Sequence, residues 1–242
     1  MIYLDYNSTS PLDPQVIRAI SECYEAGFMN PASQHREGQR ARQKIEQLRT
    51  KISQMLGGVT TGMETDHLIV TSGATESNNL ALLGLAGPRV QTNADISNDG
   101  SRRILISAVE HPSIVGAAAE LARRGFLIET IRVNSDGVCD LDHLRELVQQ
   151  PAQVVSIMLA NNETGVIQPV QQAAAICRQQ GILIHTDAVQ AVGKIPVDFR
   201  ALGVDMLSFT AHKLHGPRGI GGLITRPEVV LHPLQHLSLI HI

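Results

Sequence analysis

A chain of 242 residues, 43% apolar and 18% charged, has enough material for one large globular domain and lacks the composition of a disordered or fibrous protein. Its net charge of −3, with no dense basic run, gives no electrostatic basis for binding nucleic acid or a membrane surface. Three irregularly spaced cysteines make no disulfide framework, no apolar run is long enough to span a bilayer, and the start Met1-Ile-Tyr-Leu-Asp5 has no signal-peptide pattern, so a cytoplasmic setting is expected.

Residues 1–15 read as an N-terminal segment, with a short extended piece from Tyr3 to Tyr6. Asp13-Pro14 predicts an N-cap and a first-turn proline. The helix that follows carries an apolar face of Val16, Ile17, Ile20, Cys23 and Tyr24 and stops at Gly27. A second helix, from about His35 to Leu56, repeats Ala41, Ile45, Leu48, Ile52 and Met55 at helical spacing, its charged residues a solvated face.

From residue 68 short apolar strands alternate with helices. Strands are expected at 68–71, 103–107, 127–133, 154–159, 182–186, 206–209 and 219–225, and helices at 76–85, 112–124, 140–149 and 169–180. The polar stretch 88–101 reads as an exposed loop. Repeated strand–helix units of this length predict an α/β fold, a three-layer αβα sandwich on a mainly parallel sheet. Ligands in such sheets sit beyond the carboxyl ends of the strands, and several polar residues fall there.

Thr71-Ser-Gly-Ala-Thr75 joins a strand to a helix N-terminus, where free amides and hydroxyls suit a phosphate, although a capped helix without a ligand has the same sequence. Asp187 ends an apolar strand, and a buried carboxylate needs a partner. That partner is either a cation such as a protonated pyridine nitrogen or the backbone amides of the next turn. Gln190 lies three residues on. His111, before Pro112, is either a proton carrier over a ring or a structural loop histidine. Asn161-Asn-Glu-Thr-Gly165 is a polar strand end. Lys213 follows a strand and precedes a glycine-rich run, a place for a Schiff-base lysine or for a lysine in a surface turn. His212 and His215 have no third and fourth ligand at sensible spacing, so no metal is expected.

Tyr3-Leu-Asp-Tyr-Asn-Ser-Thr-Ser-Pro11, Asn30-Pro-Ala-Ser33, Thr71-Ser-Gly-Ala-Thr-Glu-Ser-Asn78, Glu110-His111, Asn161-Asn-Glu-Thr-Gly165, Asp187-Ala-Val-Gln190 and Ala211-His-Lys-Leu-His-Gly-Pro-Arg-Gly219 occur in that order. Together they resemble the cysteine desulfurases of the NifS/IscS type, class V members of the fold-type I pyridoxal-phosphate enzymes. The resemblance implies pyridoxal 5'-phosphate, held covalently by Lys213. It implies that His111 stacks on the ring and assists proton transfer, that Asp187 pairs with the pyridine nitrogen and that Gln190 bonds the ring oxygen. Ala74, Thr75, Thr210 and His212 fall at phosphate-binding positions, and Asn162 falls near the ring and the substrate carboxylate.

The implied reaction converts L-cysteine to L-alanine. Its sulfur passes to an enzyme cysteine persulfide and then to an acceptor such as an iron–sulfur scaffold protein, in a homodimer. The related alternatives are a selenocysteine lyase, another class V lyase or aminotransferase, or a non-catalytic remnant. The family's persulfide cysteine, its substrate-binding arginine and the threonine lent by a partner subunit match nothing here, and Cys23, Cys139 and Cys177 read as structural. Residues 16–236 are thus expected to form the cofactor domain without the small C-terminal domain, leaving 237–242 as a tail outside the family pattern.

Overall fold

The structure is a computed structural model and describes residues 2–86 and 102–235. The expected loop at 88–101 and the tail at 237–242 lie outside the described residues. In chain order the elements are α1 (Pro14–Glu25), α2 (Arg36–Met55), β1 (His67–Thr71), α3 (Ala74–Ala86), β2 (Arg103–Ser107), α4 (Pro112–Arg123) and β3 (Leu127–Ile131). They continue with α5 (Leu141–Leu147), β4 (Val154–Ser156), α6 (Val170–Gln179), β5 (Leu183–Asp187), α7 (Phe199–Leu202), β6 (Met206–Thr210), a 3-10 turn (Ala211–Lys213) and β7 (Gly221–Thr225).

The seven strands form one sheet in the order β1-β7-β6-β5-β4-β2-β3. β2, β3, β4, β5 and β6 pair in parallel, while β7 runs antiparallel to both β1 and β6. Side chains alternate across the strands. Leu105, Val155, Ile184, Leu207 and Ile224 pack with Leu144 of α5, Ala173 and Cys177 of α6 and Phe199 of α7. Ile104, Ile106, Val154, Met206 and Leu223 pack with Ala81 and Leu82 of α3 and Ile114, Ala117 and Leu121 of α4. The inner strands β2, β4, β5, β6 and β7 are largely buried because helices cover both faces of the sheet, the three-layer arrangement expected from the sequence, while the edge strands β1 and β3 are partly exposed.

Local rules account for the helix starts. Asp13 caps α1 by accepting the Gln15 amide at 2.6 Å, with Pro14 in the first turn. Asp140 caps α5 through the Asp142 and His143 amides, and Asp198 caps the short α7, which the sequence reading did not anticipate.

The N-terminal segment docks on the turn after β6, with Ser10 N–H donating to His212 O at 2.8 Å and Asp13 N–H to His215 O at 3.0 Å. Two expectations are corrected. β4 stops at Ser156 rather than 159, because the Met158 N–H is taken by the Glu110 carboxylate at 2.6 Å instead of a neighbouring strand. The apolar face of α1 buries nothing: Ile17 and Tyr24 are exposed, and so is Cys23, which is therefore not a core thiol. Cys139 and Cys177 are buried, and burial pushes both thiols up to about 12.

Candidate active site

Because β2, β4, β5 and β6 run in parallel, their carboxyl ends share one edge, and the loops after them meet there. A cavity of about 820 Å³ opens at this edge. All nine residues singled out from the sequence line it: Ala74, Thr75, His111, Asn162, Asp187, Gln190, Thr210, His212 and Lys213. Asp5, Asn7, Ser8 and Thr9 of the N-terminal segment line it too, as do Met158 and Arg218.

One wall is the turn from β1 into α3. The first-turn amides of a helix have no partner within it, and the dipole favours an anion there. Ser72 N–H and its hydroxyl are held by Glu76 Oε2 at 2.7 and 2.6 Å, bonds that lower the Glu76 carboxyl below its usual range. Gly73, Ala74 and Thr75 of this turn line the cavity. Thr210 and His212 approach from β6 and the 3-10 turn, with Thr210 Oγ1 donating to Ile220 O at 3.2 Å and His212 Nδ1 lying 3.2 Å from Thr9 Oγ1. Gly221, between Thr71 and Thr210 in the sheet, makes this close approach possible. A Cβ there would lie 2.8 Å from Gly73 backbone atoms and from Phe209 O.

Asp187 is the opposite pole. It ends β5 with 4% exposure. Its Oδ1 accepts the Val189 amide at 3.0 Å, the turn-capping bond foreseen as one alternative, and its Oδ2 accepts from Asn78 Nδ2 at 2.7 Å. Burial raises the Asp187 pKa, while the Val189 and Asn78 bonds and the charges of His111 and Lys213 oppose that rise. Asn78 also donates to Ser113 Oγ at 2.9 Å. Ser113 N–H in turn donates to His111 Nδ1 at 3.1 Å, where His111 caps α4. With Nδ1 accepting, the neutral ring carries its proton on Nε2.

Lys213 is half-buried, and its Nζ donates to the carbonyls of Asn7 and of Ser8, the latter at 2.7 Å. Burial and the charge of Lys194 push its pKa down, against the pull of Asp5 and Asp187. Gln190 Nε2 donates to Asn7 O at 3.0 Å, and Asn7 Nδ2 donates to Asn162 O at 3.4 Å. Asn7 and Asn78 lie within the motifs at 3–11 and 71–78, whose residue types alone assign them no role. Their long-range bonds become visible only once the chain is folded.

Two further buried groups support this edge. Glu110 Oε1 accepts from Ser107 Oγ and Met158 N–H, both at 2.6 Å, while its Oε2 has no hydrogen-bond partner among the described residues. Burial lifts this carboxyl to about 8, so Glu110 is mostly neutral near pH 7. His185 lies between Ser156 Oγ at 3.0 Å and Ser208 Oγ at 2.9 Å, and burial drops it to about 3. His215 turns instead to Pro11 O at 2.9 Å, outside the cavity lining.

Comparison with known proteins gives a consistent set. The profile of the family described as Aminotransferase class-V matches residues 2–239. A cysteine desulfurase IscS from Dictyoglomus turgidum is 40% identical over 235 residues, covering 97% of this chain and 56% of that protein. A probable mitochondrial cysteine desulfurase from Dictyostelium discoideum is 36% identical over 96% of this chain and 50% of its own length. Among solved structures, a NifS-like protein from Rickettsia africae superposes with a TM-score of 0.85 at 33% identity, over 98% of this chain and 61% of that one. A structure titled SspA in complex with cysteine gives 0.86 at 29% identity, over 98% and 65%. The chain spans little more than half the length of the curated relatives it matches.

Proposed function

The chain belongs to the aminotransferase class-V family, and from that premise we propose that it is the cofactor-binding portion of a cysteine desulfurase using pyridoxal 5'-phosphate. The observation that carries this reading is the shared cavity: a half-buried lysine, a buried and doubly bonded carboxylate and a helix N-terminal turn all open into one space. The donor set fits the cofactor chemically. Free first-turn amides with Thr75, Thr210 and His212 suit a phosphate, Asp187 suits a protonated ring nitrogen, and a lysine of lowered pKa suits an aldehyde.

When bound, the cofactor supplies an electron sink for the α-carbon of an amino acid. The residues of this chain would do the rest. Lys213 would hold the aldehyde through Nζ and, once displaced by substrate, take the α-proton of L-cysteine, a task that its depressed pKa favours. Asp187, kept in place by Asn78 and the Val189 amide, would stabilise positive charge at the ring nitrogen. Gln190 would donate to the ring oxygen. His111 would cover the ring, with its proton on the Nε2 side. Asn162 would lie near the ring and the substrate carboxylate.

L-Alanine and a transferable persulfide sulfur are the products of the whole enzyme. An iron–sulfur scaffold protein is the proposed acceptor, a homodimer the proposed assembly and the cytoplasm the proposed setting. Pyridoxal phosphate titrated into the 242-residue chain should generate a yellow adduct in wild type and none in Lys213→Ala. A folded wild-type chain that stays colourless contradicts the reading.

A further inference from the structure

We propose that Lys194 is a positioning residue of this site, its ammonium held between Gln190 Oε1 and Asn7 Oδ1 so that it orients the Gln190 amide and sets a second positive charge beside Lys213. The inference rests on the cofactor reading above and extends it to a residue outside the cavity lining.

The hydrogen bonds carry it. Lys194 Nζ donates to Gln190 Oε1 and, at 3.0 Å, to Asn7 Oδ1. A lysine ammonium has donors and no acceptor, so it can bind only the oxygen of the Gln190 amide. The NH₂ end of Gln190 must then point the other way, and it does so, donating to Asn7 O at 3.0 Å within the cavity wall. A ring oxygen is an acceptor, and Lys194 thereby decides that Gln190 offers it a donor. Without Lys194 the Asn7 carbonyl alone holds this orientation, and a flipped amide would turn its own carbonyl toward an oxygen.

The same lysine acts on Lys213 through Asn7. Asn7 O accepts from Lys213 Nζ while Asn7 Oδ1 accepts from Lys194 Nζ, so one residue carries both cations. A neighbouring cation favours the neutral amine. The charged groups acting on Lys213 are Asp5 of the N-terminal segment and Asp187 of β5, which raise its pKa, and Lys194 after β5, which lowers it. His212 lies next to Lys213 on the 3-10 turn, and Arg218, further along the segment before β7, acts with Lys213 on His212.

The test uses the 242-residue chain without cofactor first. Acetic anhydride labelling of Lys213 at a series of pH values, read by mass spectrometry, reports its proton affinity. Lys194→Met should move the labelling midpoint of Lys213 to higher pH and slow its labelling near neutrality by roughly threefold or more. Lys194→Arg, which keeps the charge and the donors, should leave the midpoint at the wild-type value. With pyridoxal phosphate added, Lys194→Met should bind it more weakly than Lys194→Arg. An unmoved midpoint in a folded Lys194→Met chain overturns the proposal, as does an Arg variant that behaves like the Met variant. Because the labelling needs no cofactor, a failure of the cofactor reading would appear separately, as absent adduct with the labelling shift intact.

Discussion

Asn78, one turn into α3, donates to Asp187 at the end of β5 across 2.7 Å, although 109 positions separate them in the chain. Both oxygens of Asp187 are thereby satisfied, which lets its carboxyl group sit at 4% exposure in the wall of the cavity. Asn78→Leu removes one of those bonds and also the link to Ser113 beneath His111. Cofactor affinity should fall on the order of tenfold or more, in line with about 1–3 kcal/mol for an unsatisfied buried group. An absorbance titration checks this, and unchanged affinity would remove Asn78 from the site.

Gly221→Ala tests the cradle. A methyl group would meet Gly73 and Phe209 backbone atoms at 2.8 Å, and backbone cannot step aside as a flexible side chain can. The cost should be about 1–3 kcal/mol, a fall in Tm of several degrees. Thermal unfolding reads the stability, and phosphate competition against the cofactor reads the cradle. A variant as stable as wild type would show that the turn is not packed against β7 as described.

Glu110 and His185 set opposite pH limits on stability. Glu110 has its pKa raised from 4.5 to about 8, so the folded chain holds its proton more tightly than the unfolded chain, and stability falls as pH rises through that window. His185 has its pKa lowered from 6.5 to about 3, so the unfolded chain binds the proton more readily, and stability is lost as pH falls below about 6.5. Glu110→Gln keeps a neutral group of the same shape and should flatten the alkaline limb alone. Urea melts across pH measure both limbs, and a Gln variant with an unchanged alkaline limb would refute the assignment.

Thiol chemistry divides the cysteines. Cys139 and Cys177 are buried with thiols pushed up to about 12, whereas Cys23 is exposed on α1. Iodoacetamide should label Cys23 in the folded chain and leave the other two unmodified until denaturant is added. Mass spectrometry of the digested chain decides it. Rapid labelling of Cys139 in the native state would contradict its placement in the core.

The alternation of apolar strands and helices was enough to read the layers and the parallel strands, because burial on both faces leaves a run such as Arg103-Ile-Leu-Ile-Ser107 with no other role. The strand-end rule points to Asp187, His111 and Lys213, and the resemblance adds the phosphate positions. Other features depended on contacts between distant parts of the chain. Nothing local tells that Asn7 would reach Lys213, Gln190 and Lys194, or that Glu110 would take the Met158 amide and end β4 early. The apolar face of α1 shows the same limit: periodicity identifies the face and says nothing about what packs on it, and Ile17, Cys23 and Tyr24 are exposed.

Lys213 is the residue proposed to hold pyridoxal phosphate. Borohydride reduction of the loaded 242-residue chain, followed by digestion and mass spectrometry, tests it most directly. One reduced adduct is expected, on the peptide carrying Lys213, with the neighbouring Lys194 unmodified and no adduct in Lys213→Ala. An adduct on Lys194, one scattered over surface lysines, or none in a folded chain would contradict it.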